Sequence, residues 1–278
     1  MPASSDVDSR QYVITFGLQS PEEFPPDFLV HGPLDDFQAG LFLPRDEPDW
    51  FGRSRYPPRI LSLAGRALWM DAHPSAKEPR QRIAFDELVY IESGDIFLRG
   101  WLRFVARSFE QTVFYNTVYR RTVDRFLRRL RAGWMTPEPR IAQLSSIEFG
   151  EPPDVKFRNA LARELDPDER LRGRWFLTPR EFTQSCFIYR REAWTPGDLL
   201  ALSPQRLLWI TDRDRGTSAR YGTIARYAPL DRIRSVAWEV KKGHCALRIE
   251  LAAGREWRIP MPPEDRNAAR WLESLYAH

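Results

Sequence analysis

Arginine is the side chain with the most chemistry to offer in this sequence, and it gathers in two loops. HPSAKEPRQR contains Lys77, Arg80 and Arg82, and DRDRGTSARYG contains Arg213, Arg215 and Arg220. A guanidinium presents a planar fork of N–H donors that matches a phosphate or a carboxylate in two places at once. These six cations are therefore the candidate anion- or partner-binding residues, for a lipid headgroup or an acidic protein patch. The plainer reading is a pair of solvated loops whose charges are met internally, by Asp212 and Asp214 in the second. From the residues alone that plainer reading is preferred.

Other reactive side chains form no constellation. His244 and Cys245 are neighbours, but adjacent residues on a strand point to opposite faces, so thiol and imidazole would not meet. The four histidines (His31, His73, His244, His278) are scattered, and the two cysteines, Cys186 and Cys245, lack the spacing of a zinc site or a disulfide framework. No HExxH, GxSxG, GxGxxG or GxxxxGK[ST] occurs. Carboxylate pairs such as Glu22-Glu23, Asp35-Asp36 and Asp86-Glu87 would need a cleft to do acid–base work. No catalytic residue, metal site or cofactor is expected, and the chain is not read as an enzyme. The tryptophans, Trp50, Trp101, Trp134, Trp175, Trp194, Trp238 and Trp257 among them, read as core or hairpin fillers.

The elements that position these residues come from composition and periodicity. A chain of 278 residues exceeds one ordinary domain, and 42% hydrophobic with 13% aromatic content can fill two cores. Only four of the 42 basic residues are lysine, a bias that fits a GC-rich bacterial genome. Residues 1–58 hold 4 basic and 10 acidic groups, whereas 59–134 hold 14 and 8 and 199–278 hold 14 and 9, so an acidic leader precedes two mildly basic halves. No basic block is dense enough for nucleic acid, and none is expected as a partner. MPASSDVDSR is not a signal peptide, and the longest uncharged run is the 11 residues Gln11–Pro21, so a cytoplasmic location is expected.

An internal repeat organises the chain. RILSLAGRALWMDAH (Arg59–His73) matches LLALSPQRLLWITDR (Leu199–Arg213), placing Leu68-Trp69 on Leu208-Trp209. Each is a strand, a two-residue turn (Ala64-Gly65, Pro204-Gln205) and a second strand. Upstream, DFQAGLFLPRDE matches EFTQSCFIYRRE; downstream, IAFDELVYIESGDIFLRGWLRFVA matches YAPLDRIRSVAWEVKKGHCALRIEL. Over Ile96–Ala106 the apolar side is Ile96, Leu98, Leu102 and Phe104. Each half ends in a helix. Tyr119, Val123, Phe126 and Leu130 form the stripe of the first, with Arg120, Arg121, Arg125, Arg128 and Arg129 opposite. That arginine face is either an ordinary solvated surface or one that lies on an anionic membrane. Ala268, Trp271, Leu272 and Leu275 form the stripe of the second. A third helix, Asp154–Leu165, lies in the connector, and QYVITFGL adds a strand near the start.

Six or seven short antiparallel strands followed by one amphipathic helix resembles the tandem pleckstrin-homology-like and GRAM-like domains of bacteria. The resemblance implies an α+β fold of two PH-like barrels, each a strongly bent antiparallel sheet closed by its C-terminal helix, joined by a partly helical linker. It divides the chain into a leader 1–34, a first domain 35–134, a linker 135–179 and a second domain 180–278. The turns of the Leu-Trp hairpins lack the basic groups that phosphoinositide-binding members place between their first two strands. If the preceding Phe-rich segments supply the first strand instead, Arg45 and Arg190-Arg191 fall in that loop. The function expected is non-catalytic binding or scaffolding, with a protein as partner. The alternatives are a peripheral module for an anionic membrane at its inner face, and a small-molecule binder or enzyme with an unfamiliar site.

Overall fold

The computed structural model describes residues 14–31, 35–44, 57–76, 78–96, 98–149, 155–177, 180–186, 189–195, 197–212, 222–241, 244–261 and 263–276. The chain divides into two compact units. The first comprises Met1–Leu88, Phe97–Leu102 and Thr112–Trp134, and the second Val89–Ile96, Arg103–Gln111 and Met135–His278.

The first unit holds an antiparallel sheet of β1 (Phe16–Leu18), β2 (Phe37–Leu43), β3 (Arg59–Ala64), β4 (Ala67–Ala72) and β5 (Gln81–Ala84), in chain order. Its β3–β4 hairpin turns at Gly65 and Arg66, one residue later than expected from the sequence, with φ of 53° and 55°. Two successive left-handed residues make the tight turn whose twist matches that of the flanking strands. Glycine adopts this conformation freely, and Arg66 does so at a cost of about 1 kcal/mol. Phenylalanines fill one side of the sheet: Phe16 stacks on Phe42 at 4.8 Å, and Phe28 meets Phe42 edge-on at 6.0 Å. Next in the chain come β6 (Leu88–Ile96), which belongs to the second unit from Val89 on, and β7 (Arg99–Ala106) and β8 (Glu110–Asn116), each divided between the units; helix α1 (Arg120–Trp134) belongs to the first. Asn116 introduces the helical segment, its side-chain oxygen accepting from the Val118 N–H at 3.0 Å. Val123, Phe126, Leu127 and Leu130 recur at the helical interval, and all are buried.

The second unit continues with α2 (Pro139–Ala142), β9 (Ile147–Phe149), α3 (Val155–Glu164), β10 (Gly173–Leu177), β11 (Arg180–Cys186), β12 (Tyr189–Thr195), β13 (Asp198–Leu202), β14 (Arg206–Thr211) and β15 (Thr223–Pro229). It closes with β16 (Ile233–Lys241), β17 (His244–Leu251), β18 (Glu256–Pro260) and α4 (Arg266–Tyr276). An eight-stranded sheet runs β8–β7–β6–β15–β14–β13–β10–β9, beside a β16–β17–β18 sheet and a β11–β12 pair. Trp175, Leu200, Trp209, Leu247, Ile249, Trp257 and Leu272 are among the residues of its core.

This architecture overturns the expected α+β fold of two PH-like barrels. The described chain is mostly β, its strands form open sheets of five, eight, two and three, and neither α1 nor α4 closes a barrel. Residues Ile91–Asp95 of β6 pair with Thr223–Tyr227 of β15 rather than with strand β5 before them. Alternation marks a strand and its buried face, but a strand edge accepts any partner that meets its N–H and C=O groups. Sheet membership is therefore not written in the local pattern.

One buried ion pair ties the segment after α3 to β14. Arg206 donates from Nε to Glu169 Oε1 at 2.9 Å and from Nη2 to Oε2 at 2.5 Å, and also to the Glu164 carbonyl at 2.6 Å. Ser203 Oγ donates to the same carboxylate at 2.6 Å. Burial by itself would raise the Glu169 carboxyl, but the Arg206 charge and these hydrogen bonds outweigh it and hold it below its ordinary 4.5. Its contribution to stability is thus complete above about pH 4.5 and is lost as pH falls through the folded-state value. Glu169→Gln leaves the buried Arg206 guanidinium without its counter-charge, an expected loss of about 3 kcal/mol at pH 7 by urea unfolding. The difference from wild type should shrink in acid, once the native carboxylate is protonated too.

Candidate functional site

Helix α1 presents two unlike faces. At about 100° per residue, Arg121, Arg125, Arg128 and Arg129 fall within an arc of about 100°, opposite the buried stripe, and span about 12 Å. All four are exposed. Arg120, on the flank, is tied down: its Nε donates to Asp124 at 2.6 Å and its Nη1 to the Tyr115 hydroxyl at 2.6 Å. Arg128 reaches only the Asp124 carbonyl at 3.4 Å, and Arg129 donates to the Gln38 carbonyl at 2.8 Å. Among the described residues, neither Arg121 nor Arg125 has a carboxylate partner.

This stripe runs against helix energetics. Like charges at i,i+3 and i,i+4 cost about 0.2–0.5 kcal/mol each, and Arg125 makes such pairs with Arg121, Arg128 and Arg129. The first turn holds no acidic residue, so cations also sit where the helix dipole disfavours them. Next to the N-terminus of α1, Leu98 and Val118 stand 65% and 71% exposed. The Thr117 N–H donates to the Leu98 carbonyl at 2.9 Å, which holds the two apolar side chains on neighbouring backbone. The sequence pattern placed Leu98 on the inward side of a strand, but it lies in the turn between β6 and β7, while Leu102 and Phe104 are buried as expected. Leu98 and Val118 were thus missed as surface residues; their only signal was an apolar residue beside Arg99-Gly100 and another after the capping Asn116.

Of the six loop cations, Lys77, Arg213, Arg215 and Arg220 lie outside the described residues. Arg80 donates to the buried Asp71 carboxylate at 2.6 Å and covers the Trp69 ring at 5.5 Å. Arg82 is exposed and lies over the same ring at 5.7 Å. Arg45 and the side chains of Arg190 and Arg191 are likewise outside the description. Cys245 is half-buried, and the His244 side chain is not described.

A cross-strand Trp–Arg contact recurs in the two Leu-Trp hairpins. Trp69 pairs in register with Arg82, and Trp209 with Arg226, whose guanidinium lies 4.5 Å from the indole centroid. Arg226 in turn donates to Glu92 at 2.6 Å. Trp209 Nε1 donates at 2.6 Å to Asp198, a fully buried carboxyl. Burial pushes that carboxyl up to about 7; hydrogen bonds from Trp209 and Thr211 and the Arg226 charge oppose the rise, and Asp212 adds to it. Asp212 itself faces Lys156 of α3 at 3.7 Å. Nothing in this row brings together a nucleophile, a base and an open space, and its evident work is to staple β13, β14, β15 and β6.

Family models, curated proteins and solved structures were each compared with the chain, and none matches it. Among the described residues no helix is long and apolar enough to cross a membrane.

The Asp198 carboxyl gives a signed pH dependence. The unfolded chain ionises it near 3.8 and the folded chain near 7, so stability falls as pH rises between these values and is level above them. The loss is of the order of 4 kcal/mol. Asp198→Asn keeps an acceptor for Trp209 and removes the ionisation. Urea unfolding should therefore show the variant gaining on wild type between pH 5 and pH 8, and a constant difference would refute the assignment.

Proposed function

We propose that this chain is a non-catalytic binding and scaffolding protein of the bacterial cytoplasm that recognises a protein partner. The observation that carries the reading is the exposed Leu98–Val118 pair, brought onto adjoining backbone at the start of α1 by the Thr117–Leu98 hydrogen bond. Single exposed apolar residues are ordinary on protein surfaces. Two on adjoining backbone, with Arg99 directly after Leu98 and Arg121 three residues after Val118, have the make-up of a small interface centre with a polar rim. The rest of α1 supports the reading, because its apolar stripe is already used in the core of its unit and is not available for insertion into a bilayer.

The test is affinity capture from the native host with wild type and with the Leu98→Asp/Val118→Asp double variant. A defined protein should be retained by wild type, lost from the double variant and kept by an Arg258→Gln surface control. Circular dichroism should show the double variant folded, since neither side chain is buried. Equal capture by all three chains would overturn the proposal. So would sedimentation of wild type with anionic vesicles in place of any protein partner.

A further inference from the structure

We infer that the outer face of α1 is a docking strip for an acidic segment of that partner, lying along Arg121, Arg125, Arg128 and Arg129 with the apolar end at Val118 and Leu98. The inference rests on the protein-recognition reading and adds the chemistry of what is recognised. Three observations carry it. The cations are unmatched: Arg121 and Arg125 meet no carboxylate among the described residues, although Arg80, Arg103, Arg120, Arg163, Arg206, Arg226 and Arg248 each do. They are aligned, on a strip one helix face wide, which fits a single chain segment rather than a plane. Their spacing also repeats at i, i+4, i+7 and i+8, so carboxylates one helical turn apart on a partner would each find a guanidinium fork.

The surroundings argue against an anionic bilayer as the occupant. Arg129 Nη2 donates to Gln19 at 3.3 Å, and the Gln19 N–H donates to Glu23 at 2.6 Å, so exposed Glu22 and Glu23 flank the Arg129 end of the strip. A flat anionic surface would press against those carboxylates, whereas a narrow segment passes beside them. The strip also works against the helix that bears it, and an acidic occupant would relieve both the like-charge contacts and the cations at the dipole's positive end.

The test uses the full chain and a synthetic glutamate-rich helical peptide with carboxylates at i,i+4, with phosphatidylglycerol–phosphatidylcholine vesicles as a second arm. Wild type should bind the peptide with an affinity that falls steeply with salt. The Arg121→Gln/Arg125→Gln/Arg128→Gln triple variant should bind it at least about tenfold more weakly. The same variant should melt about 2–4 °C higher, which separates loss of a binding strip from loss of fold. Peptide binding that the triple variant leaves unchanged overturns the inference, as does wild type that binds vesicles and no peptide. Failure with the peptide, while capture still depends on Leu98 and Val118, sinks the acidic strip alone. Peptide binding lost in the triple variant, with capture indifferent to Leu98 and Val118, supports the strip and sinks the apolar anchor.

Discussion

Trp209 sits where the second unit's polar and apolar demands cross. Its indole N–H holds Asp198, its ring receives the Arg226 guanidinium, and Arg226 is held by Glu92. Four adjacent strands, β13, β14, β15 and β6, are joined by this row of side chains. Each member would be costly alone: a buried acid, a half-buried guanidinium and a buried carboxylate all need partners in a medium that hydrates them poorly. The Trp257 ring lies 6.0 Å from the indole, and both side chains belong to the core. The sheet order β6–β15–β14–β13 is the arrangement that lets every member find its partner.

Arginine sets the terms elsewhere. Arg206 is buried only because Glu169, Ser203 and the Glu164 carbonyl surround it, and Arg80 is matched by Asp71 in the other unit. Beside these paired arginines the α1 strip differs: among the described residues no carboxylate answers Arg121 or Arg125. A helix already anchored by Val123, Phe126, Leu127 and Leu130 tolerates the repulsion, since its packing outweighs a cost of about 1 kcal/mol. The proposed docking strip combines this anchored support with the exposed arginines on the opposite face.

Much of the local structure was legible in the residues. The Leu-Trp hairpins, the buried stripe of α1 and the helix at 155–164 follow from periodicity and from Asn, Gly and Pro at their ends. The turn at Gly65-Arg66 was displaced by one residue because positive φ, and not the apolar pattern, decides where such a hairpin reverses. Leu98 was misplaced for a related reason: alternation continues through a tight turn on paper, while the backbone does not. The two barrels failed at a longer range, where β6 exchanges hydrogen bonds with β15 and no residue in either strand announces the other.

The sequence by itself determined which segments become strands and helices, which face of each is apolar, and how heavily the chain relies on arginine. Those properties depend on neighbours within one turn or one hairpin. Only the tertiary structure decided which arginines are spent and which remain. Arg226 and Glu92 lie 134 residues apart, and Arg206 and Glu169 lie 37 apart, so their charges cancel only once distant segments are brought within hydrogen-bond reach. What was left over on α1 is visible only after that cancellation, because an unmatched charge is defined by the whole fold around it and not by the residue that bears it.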